Sequence, residues 1–204
     1  ELEAVQKITQ WGLENNYLHR IEVLTFVDGG SSLKWLSKAG GKVQNLLTKG
    51  SLNHLTHQLK KTPGQHFSEI EDVLELAKEQ GVTTNVYLED WSNGMRNSQD
   101  YVFQFLDFLK SQNIRRVLLP DTLGILTPQE SFDYVSMVRS KYPSMHFDFH
   151  AHNDYDLSVA NVMEALKAGV NGLHLTINGM GERAGNAPLA SAIAVINDFL
   201  PGLE

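Results

Sequence analysis

Two histidines, His150 and His152, are spaced so that both could bind one metal ion. They occur in the stretch HFDFHAHND, whose apolar and polar residues alternate as on a β-strand. Successive side chains of a strand point to opposite faces, so Asp148 and both histidines share one face, and Phe147 and Phe149 share the other. Two imidazoles at the end of a strand can bind one divalent ion. The chain contains 8 histidines, so two of them can fall at this spacing without sharing a ligand. The spacing therefore fits a hydrogen-bonded polar pair at a strand end equally well.

A glycine-rich segment, NGMGERAGN (178–186), follows the last predicted strand. Its glycines permit a tight backbone path beside a ligand, although their order is not that of a nucleotide-binding loop. Taken alone, the segment fits an ordinary strand-to-helix turn somewhat better, with Glu182 and Arg183 paired at the surface.

Polar residues also follow three other predicted strands, as the pairs Thr48–Lys49, Glu89–Asp90 and Asp121–Thr122. One acidic residue in such a place commonly caps the following helix. Recurrence at successive strand ends predicts that these pairs converge on one rim, as in barrel enzymes.

The elements that would position these residues alternate between strand-like and helix-like patterns, which favours parallel strands joined by helical crossovers. The six predicted strands are Ile21–Val27, Lys42–Leu47, Thr83–Leu88, Arg116–Leu119, His146–His150 and Gly172–Ile177. Two capping boxes predict helix starts, at Ser68 with Glu71 and at Thr127 with Glu130.

The repeat of about 30 residues is typical of a (β/α)8 TIM barrel, which needs eight units. We therefore expect an α/β fold in which residues 1–204 form a partial catalytic barrel that lacks its two N-terminal units. Periodicity alone also fits a complete doubly wound sheet of six strands.

The composition limits the possible partners. The 24 acidic and 17 basic residues give a formal net charge of -7, which opposes binding to nucleic acid or to an anionic membrane surface. No apolar run reaches the roughly 20 residues of a membrane span. The absence of cysteine fits a cytoplasmic protein and leaves only nitrogen and oxygen ligands for a metal.

Four motifs, YLED, LPDTLG, HAHND and TINGMGERAGN, occur in this order at the predicted strand ends. Together they resemble the catalytic barrel of the 2-isopropylmalate, homocitrate and citramalate synthases, a group of metal-dependent TIM-barrel enzymes. The stretches NVYLEDWSNGMRNSQDY and FHAHNDYDLSVAN are most similar to bacterial (R)-citramalate synthase. The resemblance covers essentially the whole chain and implies condensation of acetyl-CoA with a small 2-keto acid, followed by thioester hydrolysis, in branched-chain amino-acid biosynthesis.

The resemblance also implies roles for single residues. His150, His152 and Asn186 would bind a divalent ion, which could be magnesium, manganese or zinc. Thr122 would hydrogen-bond the keto-acid carboxylate, and Glu89 would remove the proton from the acetyl methyl group. Glu89 could instead be a structural carboxylate of the rim. The enzymes of this group are usually homodimers.

Three apolar positions bear on the choice of keto acid. The resemblance places Leu24, Leu47 and Tyr87 as a bulky wall that leaves room for the methyl group of pyruvate. Isopropylmalate-type enzymes commonly have serine in place of Tyr87, so 2-isopropylmalate synthase is the alternative. Leu24 and Leu47 could also be ordinary core residues. Further alternatives are an aldolase or lyase on the same barrel and a non-catalytic fragment.

The motif D-x-T-x-R-(D/E)-G, which carries an aspartate ligand and an arginine in these enzymes, does not occur in the chain. We also expect the C-terminal regulatory domain of these enzymes to be absent from this chain. We therefore expect the 204-residue polypeptide alone to be inactive and to bind metal weakly or not at all.

Overall fold

The computed structural model describes residues 2–200 and 202. Its six strands are β1 (Glu22–Phe26), β2 (Val43–Lys49), β3 (Thr83–Glu89), β4 (Arg116–Asp121), β5 (His146–Ala151) and β6 (Gly172–His174). Its helices are α1 (Leu2–Glu14), α2 (Ser31–Lys38), α3 (Pro63–Glu79), α4 (Trp91–Asn97), α5 (Gln99–Ser111), α6 (Pro128–Lys141), α7 (Ser158–Lys167) and α8 (Leu189–Phe199). A π-helix, His54–Leu59, follows β2, and two 3-10 turns, Leu18–Arg20 and Ile177–Gly179, complete the elements.

The strands form one sheet whose spatial order is the order of the sequence, from β1 to β6, and every pair is parallel. A doubly wound sheet reverses its strand order at a switch point, whereas a barrel adds each strand beside the previous one. The sequential order therefore confirms the partial TIM barrel and excludes the doubly wound alternative. The described sheet has β1 and β6 at its two edges.

The apolar core lies between the outer face of the sheet and the surrounding helices. Phe147 and Phe149 of β5 are fully buried there, as the alternation along the strand predicts, and pack in one cluster with Phe105 and Leu109 of α5. Burying one such side chain stabilises the fold by about 1.5–3 kcal/mol. Because the phenylalanines of β5 occupy this face, the alternate residues Asp148 and His150 lie on the opposite, inner face.

The start of α3 differs from the prediction. The helix begins at Pro63, with Thr62 and Gln65 forming the capping box, so the predicted start at Ser68 and Glu71 was wrong. The fixed φ of proline favours the first helical position, and Pro63 precedes Ser68 by five residues. The box formed by Thr127 and Glu130 at the start of α6 is confirmed.

Strand ends differ from the predictions by a few residues. β2 and β4 each continue for two residues beyond their predicted ends, to Lys49 and Asp121. β6 ends at His174 and does not reach Ile177, because Thr176 bridges Pro188 and the chain then turns through a 3-10 helix. The polar groups at the rim are therefore partly strand residues and partly loop residues.

The inner face of β1 is open. Leu24 and Phe26 point to this side of the edge strand, and 49% of each residue is exposed.

No helix within residues 2–200 is long and apolar enough to cross a membrane.

Candidate active site

One cavity of about 380 Å³ lies at the carboxyl ends of the strands, on the inner face of the sheet. All eight predicted site residues line it. The complete lining is Leu24, Leu47, Tyr87, Glu89, Pro120, Thr122, His150, His152, Gly181, Glu182 and Asn186. The structure thus brings together residues that span more than 160 positions in sequence.

Strand alternation explains this convergence. Tyr87 and Glu89 are two residues apart on β3, as are His150 and His152 at the end of β5, so each pair projects to the same inner side. The residues between them face the helices, and Leu88 and Ala151 are fully buried there. Parallel strands place these carboxyl ends at one rim, where barrel enzymes build their sites.

The two histidines meet at the cavity with unpaired nitrogens. Their ring centroids are 5.0 Å apart, and both Nδ1 atoms are buried without a hydrogen-bond partner. Burial, followed by the neighbouring imidazole of His152, lowers the pKa of His150 to about 3. Burial, followed by the charge of Arg183, also lowers the pKa of His152. Both rings are therefore neutral at pH 7, the form in which histidine binds a metal.

Asn186 presents a third unpaired atom. Its Nδ2 donates to the carbonyl of Met180 at 3.2 Å, while its Oδ1 is buried without a partner. Backbone bonds hold this residue beside the end of β5: Asn153 N donates to Gly185 O at 2.9 Å, and Ala187 N donates to Ala151 O at 3.0 Å. The glycine-rich segment is therefore fastened to the strand that carries both histidines.

These three atoms fit the donor set of a divalent metal ion. His150 Nδ1, His152 Nδ1 and Asn186 Oδ1 are polar atoms that folding has removed from water without giving them a partner, which normally costs about 1–3 kcal/mol each. Two imidazole nitrogens and one amide oxygen suit ions such as zinc, manganese or magnesium. Within residues 2–200 and 202, no group of three or more His, Cys, Asp or Glu is placed to hold a metal.

Glu89 lies in a polar cluster that the sequence did not reveal. Its Oε2 forms an ion pair with Lys49, and its Oε1 lies 4.0 Å from Nδ1 of His54. His54 opens the π-helix after β2, and its Nε2 lies 3.3 Å from Oδ2 of the buried Asp90. The only available signal was the position of Lys49 at a strand end, and no sequence pattern pointed to His54.

Thr122 is oriented by the backbone of the neighbouring strand end. Its Oγ1 accepts a hydrogen bond from Asp90 N at 2.8 Å, which leaves its hydroxyl hydrogen available to an acceptor in the cavity. Thr48 and Asp121 correct the expectation that every polar strand-end residue reaches this rim. Thr48 donates to Tyr87 O at 2.8 Å, and Asp121 accepts from the N–H groups of the loop at 125–126. Alternation turns these two side chains away from the cavity.

Arg183 ties three strand ends together. Its guanidinium donates to both carboxylate oxygens of Asp154, each at 2.8 Å, and to Thr122 O at 2.7 Å. The expected surface pair with Glu182 is a minor contact, at 3.7 Å. The bidentate geometry is the stronger form of such an ion pair. We call Arg183 and Asp154 the loop clamp, because they anchor the segment that carries Asn186.

The predicted apolar wall borders the metal-ligand candidates. The ring of Tyr87 meets that of His150 edge-on, with centroids 5.9 Å apart, and lies 6.0 Å from that of His174. Burial, together with Asp148, raises the pKa of the Tyr87 phenol, so the ring stays neutral. Leu24 is half exposed and lines the cavity, which distinguishes it from an ordinary core residue.

A second polar layer, which we call the interior network, lies one register below the cavity. Arg116 joins the buried Asp148 to Glu22, and His146 Nε2 lies 2.7 Å from Asp148 Oδ1. Its members are Glu22, Asn45, Asn85, Arg116, His146 and Asp148, and each has at least one polar partner. The members of this layer bond to one another, one register below the cavity.

Comparison with known proteins places this geometry in context. The model of the HMGL-like family matches residues 1–199. A probable 2-isopropylmalate synthase of Ignicoccus hospitalis is 32% identical over 147 residues, which cover 72% of this chain and 36% of that protein. A homocitrate synthase of Saccharolobus islandicus is 34% identical over 143 residues, which cover 70% and 30% respectively. The chain therefore spans about a third of the length of these curated relatives.

Among solved structures, the hydroxymethylglutaryl-CoA lyase of Pseudomonas aeruginosa superposes with a TM-score of 0.75 and 18% sequence identity. The match covers 85% of this chain and 61% of the lyase. At this identity the likeness concerns the fold alone, and it agrees with the partial barrel described above.

Proposed function

Since this chain belongs to the HMGL-like family, we propose that it forms the larger part of the catalytic barrel of an acetyl-CoA-dependent 2-alkylmalate synthase. The observation that carries this proposal is the cavity itself. It gathers two neutral histidines and an asparagine with unpaired ligand atoms, a carboxylate and an oriented hydroxyl. Because the chain spans about a third of its curated relatives, the activity is that of the complete protein.

The polar cavity residues divide into proposed metal ligands and residues proposed to act on the substrates. His150, His152 and Asn186 would hold a divalent ion, which when bound supplies Lewis-acid polarisation of a ketone. We further propose that the six strands belong to an eight-stranded barrel whose remaining units complete the ligand set. Thr122 donates its hydroxyl hydrogen to the carboxylate of the keto acid, since its oxygen already accepts from Asp90.

Glu89 is the proposed base. Its carboxylate takes a proton from the methyl group of the acetyl thioester, and the electron pair left on that carbon forms the new bond to the ketone carbon. The π electrons of the ketone move to its oxygen, which is then protonated. Water finally cleaves the carbon–sulfur bond, releasing the CoA thiol and a 2-alkylmalate.

The wall of Leu24, Leu47 and Tyr87 supports pyruvate as the keto acid and citramalate as the product. A bulky phenol beside His150 restricts the space next to the candidate metal ligands, and steric exclusion discriminates against larger substrates. The relative named a probable 2-isopropylmalate synthase favours 2-ketoisovalerate as the second candidate.

The test measures thiol release from acetyl-CoA by the complete protein with each keto acid. We expect a higher kcat/KM with pyruvate, and Tyr87→Ser should shift the preference towards 2-ketoisovalerate by about 10-fold or more. Tyr134→Ser, which changes a tyrosine on α6 outside the cavity, is the matched control. A wild-type preference for 2-ketoisovalerate would reject citramalate. Retro-aldol cleavage without CoA would instead indicate a lyase.

A further inference from the structure

Lys49 is an unexpectedly enclosed cation beside the cavity. Its side chain is 15% exposed, the lowest value among the lysines that form ion pairs within the described residues. In the parallel register of β2 and β3, Lys49 stands directly opposite Glu89. Burying an ammonium group is costly unless it is paired, so its position needs an explanation.

Two buried side chains fix the backbone of Lys49 from outside the barrel. Its N–H donates to Nε2 of His66 on α3 at 3.2 Å, and its carbonyl accepts from the hydroxyl of Tyr101 on α5 at 2.8 Å. Burial lowers the pKa of His66 to about 4, so this imidazole is neutral and can accept. With the backbone held on the helix side, the lysine side chain projects to the inner face of the strand.

The charges around Glu89 leave Lys49 a single partner. Asp90, the next residue along the chain, already accepts from Ser51 at 2.6 Å and from Asn93 at 2.8 Å. Lys49 pairs with Oε2 of Glu89, while Oε1 has only the distant contact with His54. The other titratable groups that line the cavity with Glu89 are Tyr87, His150, His152 and Glu182.

The geometry points to Lys49 as a positioning residue for Glu89: the ion pair holds Oε2 and leaves Oε1 as the oxygen that accepts the substrate proton. This inference rests on the proposed function, in which Glu89 is the base. The lysine orients the carboxylate, and it touches neither the substrate nor the ion.

The test is a double-mutant cycle in the complete protein with saturating metal. Lys49→Met removes the charge at similar length, and we expect kcat to fall about 10- to 100-fold, less than the roughly 10²- to 10⁴-fold that a positioned base itself contributes, while KM changes less than about threefold. Glu89→Gln should lower kcat more than Lys49→Met does. Adding Lys49→Met to Glu89→Gln should cost nothing further, because residues that act as a unit are non-additive.

Two variants separate positioning from general damage. Lys49→Arg keeps a cation and should retain at least a tenth of the wild-type kcat. Lys61→Met is the matched control, since Lys61 forms the same kind of ion pair with Glu69, at 2.6 Å, away from the cavity. Its kcat should equal that of the wild type. Lys49→Gln replaces the methionine variant if that variant does not fold.

The outcomes distinguish the two proposals. If Glu89→Gln keeps wild-type kcat, the proposed function fails, and this inference fails with it. If Glu89→Gln is impaired but Lys49→Met is not, only the role of Lys49 is rejected. An additive cycle, or equal losses in Lys49→Met and Lys61→Met, also rejects it.

Discussion

The cavity and the interior network lie in adjacent layers of the same barrel and contain similar side chains. They differ in whether the buried polar atoms of these side chains have hydrogen-bond partners. In the network, Asp148 is 1% exposed and is bonded by Arg116 and His146. In the cavity, His150 and His152 are buried with unpaired Nδ1 atoms. The buried polar groups cited for the network are therefore hydrogen-bonded to one another, whereas the buried histidine nitrogens of the cavity are left unpaired. We propose that the unpaired histidine nitrogens mark the place where a ligand binds.

The sharpest way to break this contrast is to remove the unpaired histidines. We expect His150→Ala and His152→Ala each to weaken metal binding and to lower turnover by at least about 100-fold, since loss of even an outer-shell partner typically costs 10- to 100-fold. Calorimetric titration with the metal and thiol-release assays on the complete protein measure both effects. His57→Ala, at an exposed position, is the control. Unchanged metal affinity in both variants would contradict the assignment of the site.

Substitutions in the interior network should lower the free energy of unfolding. Arg116→Met leaves Asp148 buried without its cation, and we expect a loss of about 3 kcal/mol in the free energy of unfolding. Arg116→Met combined with Asp148→Asn should recover part of that loss, because the buried charge is gone. Urea denaturation provides the measurement. A loss below about 0.5 kcal/mol would mean that this layer is not the structural one.

Acid should destabilise the metal-free cavity layer. The folded-state pKa of His150 lies near 3, below its ordinary value of 6.5. Below pH 6.5 the unfolded chain therefore binds a proton that the folded chain excludes, and stability falls as the pH falls. From pH 6.5 to 5 the contribution is about 2 kcal/mol. His150→Asn should lose this part of the pH dependence in urea denaturation. Identical slopes in variant and wild type would refute the contribution.

The smallest effect concerns the loop clamp. Arg183→Met should weaken metal binding about 10-fold through the loop that carries Asn186, as loss of an outer-shell partner does. Arg96→Met is a matched control, because Arg96 makes a bidentate pair with Glu130 and bonds the carbonyl of Ile125. The control should change stability by a similar amount and leave metal affinity intact. Equal metal affinities in the two variants would reject the clamp.

Much of the site could be predicted because it depends on local geometry. The two-residue period of a strand decides which side chains share a face, so His150 with His152, and Tyr87 with Glu89, could be paired from spacing. The motifs then predicted a chemical role for each pair through the family resemblance. The structure places all eight predicted residues around one cavity. Local signals were weaker at element ends, where Pro63 and not Ser68 determines the start of α3.

The amino-acid sequence by itself determined the alternation of strands and helices, the inward face of each strand and the family. Only the tertiary structure decided which groups meet across strands. Lys49 reaches Glu89, and Arg183 reaches Asp154, over 40 and 29 positions of sequence. Strand register and loop path set these encounters, and both follow from packing of the whole sheet against its helices. Spacing along the chain carries no information about them.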